Sequence, residues 1–298
     1  MADVVVLGSA NMDLVATTDR LPGRGETIAG HTFRQVPGGK GANQAIAAAR
    51  SGGTVRFAGA VGDDDLGRQI LAALGAAGVD TTAVVRADAP TGTAHITVAA
   101  GGDNTIVVVP GANGTLTELL PAHAAVIAGA DTLLLQLELP LSVVRAAAAH
   151  ARACGVRTVL TPAPARPLPD ELLAAVDLLV PNEHEATIIA GVDDPHQAAA
   201  VLARRCDVLM TLGERGAVYA TAGAEPVTVP AFPVTAVDTT AAGDTFVGVL
   251  ASALAAGTAM PDAMRRASAA AALSVQRPGA SDSAPTAAQV DAFLGGAA

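Results

Sequence analysis

Short apolar runs alternating with helix-like segments constrain this chain more than any other feature. Residues 4–8, 55–60, 132–137, 158–161, 178–181 and 208–211 are brief and mostly β-branched or leucine-rich, as strands buried on both faces are. Segments of helical character separate them, at 42–51, 66–75, 141–153, 169–175, 183–190 and 197–205. This order predicts an α/β chain whose mostly parallel sheet is covered by helices on both faces. Right-handed crossovers would then bring the strand C-termini, and with them a ligand site, to one edge of the sheet. Later in the chain a short strand pair is expected at 217–221 and 227–229, and helices at 242–256, 261–276 and 286–294. Two stretches leave the rhythm. Residues 14–36 and 93–109 read as strands with polar or Gly-rich turns, the second bending at Gly101–Asn104. They are expected to form a small β-sheet lid beside a main domain made of 1–13, 37–92 and 110–298.

Composition removes several classes of function. Hydrophobic content of 51% and a mean hydropathy of +0.43 invite a membrane reading. Yet no window of about 18 residues stays apolar and uncharged. The opening MADVVVLGSANMD has no basic start and enters a strand-like run, unlike a signal peptide, so a soluble cytoplasmic chain is expected. With 18 basic and 28 acidic residues the net charge is 18 − 28 = −10, and no basic run argues for nucleic acid. Cys154 and Cys206 lack ligand spacing and are expected to be buried, reduced thiols. Asn113-Gly114-Thr115 matches a glycosylation sequon but carries little meaning without an export signal. Lys40 is followed by Gly41, so there is no P-loop, and Gly8-Ser9-Ala10-Asn11 is not a dinucleotide fingerprint. His31, His95, His123, His150 and His196 are scattered and read as surface or core residues.

Positive signals gather at strand ends and helix starts. Ala241-Ala242-Gly243 runs into Asp244 and an apolar helix, so small residues, free N–H groups and a dipole end coincide in an anion site. A carboxylate there suits a base that takes a hydroxyl proton while amides hold phosphoryl charge; an ordinary helix cap is the competing reading. Asn11 and Asp13 follow the first strand and could grip a polyol, or form a turn. Gly38-Gly39-Lys40-Gly41-Ala42-Asn43-Gln44 permits close backbone approach while presenting Lys40 and Asn43. Glu138 ends another strand. Asn182 and Glu185 share one face of a helix's first turn, as a cap or as a carboxylate holding water on Mg²⁺, with His184 as a direct ligand the competing reading. The turn Thr211-Leu212-Gly213-Glu214-Arg215-Gly216 suits nucleotide phosphates or ribose.

GGKGANQAIAAARSGG and DTTAAGDTFVGVLA, in this order, resemble the two motifs of the ribokinase-like sugar kinases, the phosphofructokinase-B (PfkB) family. VVLGSANMD, LQLELP, TPAPARPLPDELL, VPNEHEA and TLGERG extend the likeness over nearly the whole chain and resemble the ribose-phosphorylating branch more than its cousins. The resemblance implies a three-layer α/β/α domain with a β lid, and ATP-dependent phosphorylation of D-ribose at its 5-hydroxyl. Asn11, Asp13, Gly39, Lys40, Asn43 and Glu138 would hold the sugar, with Asp244 as the base and the N–H groups of Ala242, Gly243 and Asp244 as the anion hole. Asn182, Thr211, Gly213, Arg215, Gly216, Gly243 and Ser268 would face ATP, and Glu185 would act on Mg²⁺ through water. Asp238 and Thr240 match one loop of the family's K⁺ site, and Ser274, Arg277, Gly279 and Ser283 the other. Ser268 departs from the His or Asn common near the adenine. A homodimer through the lid is expected, because lid strands expose edges.

Rival readings are a kinase of deoxyribose, fructose or a nucleoside, a non-catalytic sugar-binding protein, and a dehydrogenase. A nucleoside would want aromatic stacking, and the lid stretches hold only Phe33. Arg20, Arg24 and Arg34 leave a sugar phosphate open as substrate. A non-catalytic chain would be expected to lack Asp244 or Gly243, and both are present.

Overall fold

A computed structural model describes residues 3–296. β1 (Asp3–Leu7) lies inside a nine-stranded sheet. On one side are β4 (Thr54–Gly62) and β5 (Asp80–Ala87). On the other are β8 (Thr132–Leu135), β9 (Arg157–Leu160), β10 (Leu178–Leu179), β11 (Asp207–Thr211), β12 (Ala217–Ala220) and β13 (Val227–Val229). All pairings are parallel except β11–β12 and β12–β13. The apolar strands alternate their side chains between two cores. Val4 and Val6 join one core, with residues of α1 (Lys40–Arg50), α2 (Asp65–Ala76), α8 (Ala242–Ala255), α9 (Met260–Ser274) and α10 (Ala287–Gly296). Val5 and Leu7 join the other, with α3 (Pro121–Ala128), α4 (Leu141–Cys154), α5 (Asp170–Ala175), α6 (Glu183–Ala190) and α7 (Pro195–Leu202). Helices thus cover both faces. No helix among the described residues is long and apolar enough to cross a membrane.

The chain leaves β1 toward β4 on one side and reaches β8 on the other only after a long excursion. β1 and β8 therefore bound a point where the strand order reverses, the place where open α/β sheets bind ligands. The excursion includes a second sheet, ordered β3 (Thr32–Gly38), β2 (Asn11–Thr18), β6 (Gly92–Ala99), β7 (Asn104–Val109). Its strands begin at Asn11 and end at Gly38, so it carries site residues directly rather than starting beyond them.

Two elements escaped the sequence. β5 is an edge strand with mixed exposure and no continuous apolar run, and α3 is eight residues of alanine-rich chain opened by Pro121. The strand expected at 178–181 keeps only two ladder residues. Pro181 has no N–H for the ladder, though its carbonyl accepts from Thr211 N–H at 2.9 Å. Both cysteines are free, but the expectation of burial fails for Cys154, which is exposed at the end of α4. Cys206 is half-buried, and burial, then Asp207 and Asp177, push its thiol up to about 12. His123 is buried, and its ring Nε2 lies 3.1 Å from the carbonyl oxygen of Ala83.

Candidate active site

The glycine-rich entry to α1 folds tightly over the end of β1. Gly39 has φ 90°, and a Cβ there would lie 2.8 Å from the Asn11 nitrogen. A Cβ on Gly41 would lie 2.6 Å from the Ser9 nitrogen. Only glycine allows this approach, and it sets Lys40 and Asn43 beside the residues that follow β1. Glu138, three residues past β8, accepts from the Ser9 hydroxyl and from Lys40 N–H at 3.1 Å, which ties the two sides of the reversal point together.

Asn11 and Asp13 alternate on one face of β2. Asn11 pairs with Gly38 on one side and Gly92 on the other, so no neighbouring side chain crowds it. Asn113 fixes its amide: Asn113 Nδ2 donates to Asn11 Oδ1 at 2.8 Å and to the Ala10 carbonyl at 3.1 Å, and Ala10 N–H donates back at 3.0 Å. At 1% exposure Asn113 is an internal brace, not a glycosylation acceptor. Its role was hidden because its partners are about 100 residues away in sequence.

Asp244 lies in the first turn of α8 and is buried. Gln44 Nε2 donates to its Oδ1 at 3.0 Å and Asn43 Nδ2 to its Oδ2 at 3.2 Å. The helix opens on Ala241 at φ 56°, the one non-glycine residue with positive φ among those described. A left-handed alanine costs about 1–2 kcal/mol, a strain that clusters at functional sites. The N–H groups of Gly243 and Asp244 donate to no protein group among the described residues, whereas that of Ala242 donates to the Thr239 carbonyl at 3.2 Å. The expected set of three amides is thus two free donors and one engaged in a turn. Nothing lies within 4 Å of a Cβ built on Gly243, so the approach to these amides is open.

The electrostatics are those of four carboxylates around one ammonium. Burial would lower the Lys40 amine, but Asp244, Glu138, Glu185 and Asp13 together lift it above its ordinary value. Burial raises Asp244, opposed by Lys40 and by the Gln44 and Asn43 amides. Burial, then Glu138 and Asp244, push Asp13 up to about 7. Asn11, Asp13, Gly39, Lys40, Asn43, Glu138 and Asp244 are thereby brought into one cluster.

Along the same sheet edge, Asn182 caps α6 with a reciprocal capping box to Glu185 and bridges to Thr211. Glu185 Oε2 accepts from Asn182 N–H at 2.8 Å. Burial lifts Glu185 above its usual range despite that bond and Lys40. Gly213 and Arg215 form a short 3-10 turn after β11, closed by Gly216 at φ 100°. Arg215 pairs with Glu183 at 2.5 Å across exposed surface. Ser268 is buried in α9, and no bond among the described residues ties it to this group.

Two loops meet behind the start of α8. Asp238 accepts from Thr240 N–H and Gly279 N–H, each at 2.9 Å; against burial, the Thr240 hydroxyl, these two amides and the charge of Arg34 hold its carboxyl below its usual range. The Val275 carbonyl receives the N–H groups of Val237 and Asp238. The Ser274 and Ser283 hydroxyls turn back onto the carbonyls of Ala271 and Ala280. Arg277 N–H donates to the Ser274 carbonyl.

A family model described as pfkB family carbohydrate kinase matches residues 1–287. Ribokinase of Bacillus subtilis is 44% identical over 296 residues, covering 99% of this chain and 100% of that protein. Ribokinase of Haemophilus influenzae is 42% identical over 300 residues, covering 98% of each. The structure of Arabidopsis thaliana ribokinase complexed with ribose and ATP is similar at a TM-score of 0.93 and 35% identity, covering 99% of both chains.

Proposed function

The chain belongs to the pfkB family of carbohydrate kinases, and from that premise we propose that it transfers the γ-phosphoryl group of ATP to the 5-hydroxyl of D-ribose, giving ribose 5-phosphate and ADP. The relatives named ribokinase, and the similar structure that holds ribose and ATP, support this substrate pair. The observation that carries it is Asp244, a buried carboxylate oriented by two amides beside two free helix-start N–H groups.

Asn11, Asp13, Gly39, Lys40, Asn43 and Glu138 would hold the sugar hydroxyls. Asp244 takes the proton of the 5-hydroxyl as that oxygen bonds to the γ-phosphorus; the bond from phosphorus to the β-bridging oxygen breaks, and ADP leaves with its electron pair. The Gly243 and Asp244 amides stabilise the charge on the transferring group. Asn182, Thr211, Gly213, Arg215, Gly216 and Ser268 are the proposed ATP side. Glu185 would hold Mg²⁺ on this side, and the ion would supply positive charge to offset that of the nucleotide phosphates. Glu185 fits it through water, because its Oε1 has no hydrogen-bond partner among the described residues while Oε2 caps the helix. K⁺ fits the paired loops mainly through backbone carbonyls, since Asp238 is already bonded to two amides and both serine hydroxyls are engaged.

The four-stranded sheet, whose strands lie within 11–38 and 92–109 and so reach past the expected 14–36 and 93–109, would act as a lid over the larger sheet and its helices, and its open edges support a homodimer. The test is ADP release across ribose, 2-deoxyribose, fructose and adenosine: ribose is expected to give the highest kcat/KM. Asp244→Asn is expected to lower kcat by about 10²–10⁴-fold while the far-UV spectrum holds. Near-normal turnover by that variant, or no sugar-dependent ADP release, overturns the assignment.

A further inference from the structure

The Gln44 amide that orients Asp244 is itself held by a further buried amide, Gln136, that the reaction as written does not use. Gln136, the first residue past β8, donates from Nε2 to Gln44 Oε1 at 2.6 Å. Gln44 donates from Nε2 to Asp244 Oδ1 at 3.0 Å and to Thr161 Oγ1 at 3.3 Å. Gln44 and Gln136 are 0% and 1% exposed, so water cannot replace either partner. A Cβ on Gly8 would run into Gln136 Oε1, so a glycine at the end of β1 makes room for the chain's far end.

The polarity of this run is fixed by charge. An amide has a donor end and an acceptor end, and each link here has its donor aimed toward Asp244. Turning Gln44 over would set its carbonyl oxygen against an ionised carboxylate. Turning Gln136 over would set two carbonyl oxygens face to face. Gln136 Oε1 is buried without a partner among the described residues, an uncompensated acceptor at the far end of the run. Such a group is explained if the donor end has work to do.

We propose that Gln44, itself oriented by Gln136, is a positioning residue for phosphoryl transfer: the relay Gln136–Gln44 holds the Asp244 carboxylate in the ionised, proton-accepting state and in one rotamer. This rests on the sugar kinase function proposed above. The groups whose charge reaches Asp244 are Lys40 on α1, Glu138 past β8, Asp13 on β2 and Glu185 on α6. Three of these four are acidic and favour the protonated form, as burial does. Lys40 and the Gln44 and Asn43 amides oppose them. Asn43 stands at the proposed sugar-facing entry of α1, whereas Gln44 and Gln136 are buried in the core, where Gln44 bonds Asp244 and Thr161 and Gln136 bonds Gln44. Loss of the Gln44 donor would therefore raise the Asp244 pKa, and the acid limb of the kcat–pH profile would move to higher pH. The sugar contacts would remain.

The test is a kcat–pH profile, with ribose KM at each pH, for Gln44→Met, Gln136→Leu and the double variant. Gln44→Met is expected to lower kcat roughly tenfold at neutral pH, with partial recovery at higher pH as the acid limb shifts up by about one unit. Ribose KM should stay within about twofold. Gln136→Leu, which does not touch Asp244, should shift the same limb by less. The double variant should be no worse than Gln44→Met, because removing the first link already silences the second. An unmoved acid limb in both single variants, or effects that multiply in the double variant, overturns the relay. If Gln44→Met does not fold, the limb position in Gln136→Leu decides alone. Sugar-dependent ADP release by the wild-type chain separates the outcomes: without it the kinase function itself fails, and with it an unmoved limb sinks only the relay.

Discussion

Asp13 shows how one residue can serve a site at the expense of the fold. Its carboxyl is pushed up to about 7, first by burial and then by Glu138 and Asp244, with Lys40 opposing. The folded chain therefore keeps a proton on Asp13 that the unfolded chain loses near pH 4. Stability from this group is full below that pH and is lost as pH rises through about 7. At pH 8 the ionised Asp13 strains the fold. Asp13→Asn is expected to raise stability at pH 8 by about 1–3 kcal/mol, and by less at pH 5, while sugar affinity falls. Thermal melts at the two pH values check this, and a gain independent of pH would contradict it. A carboxylate at that cost fits the sugar-hydroxyl ligand role proposed above for Asp13.

At the scale of elements, two glycines at helix starts have opposite reasons to be glycine. Gly41 lets the first turn of α1 rest on the end of β1, with backbone atoms where a side chain would go. Gly41→Ala is expected to cost about 1–3 kcal/mol in urea unfolding, as overpacking against rigid backbone does, and to separate Lys40 from Glu138. Gly243 meets nothing. Gly243→Ala should leave the fold as stable or up to about 1 kcal/mol more so, since it removes backbone freedom from a helix. Its methyl would instead crowd the free amides and lower kcat/KM for ATP. A stability loss in Gly243→Ala equal to that in Gly41→Ala would remove the distinction. The loops joined by Asp238 and Gly279 brace the strained start of α8 from behind. Activation by K⁺ is expected on that ground, and equal rates across a full K⁺ titration would end the expectation.

For the whole molecule, the second sheet is the unfinished part. β3 and β7 are each paired on one side only. β7 exposes Ile106, Val107, Val108 and Val109, and β3 exposes Phe33 at 60%. Open apolar edges invite pairing with another chain. A second copy would cover them in a closed two-fold arrangement. Equilibrium sedimentation is expected to give a dimer mass, and Val107→Lys to shift it toward monomer with loss of sugar affinity as the lid loosens. A wild-type monomer at micromolar concentration would contradict the dimer.

The sequence by itself determined the layered sheet, because apolar runs too short for helices and buried on both faces have few other folds. It also pointed to Asp244, Gly243, Lys40 and Glu138 as candidates, since glycine turns and carboxylates at strand ends are local signals. It missed β5, an edge strand without a continuous apolar run, and α3, whose alanines show no apolar stripe. Only the tertiary structure decided that Asn113 braces Asn11, that Gln136 and Gln44 hydrogen-bond in line toward Asp244, and that one of three expected amides is already engaged. The first two depend on side-chain hydrogen bonds between residues far apart in the chain, which leave no period or spacing to read; the third is a local backbone turn, Ala242 N–H to the Thr239 carbonyl, that the small residues there permit but do not specify.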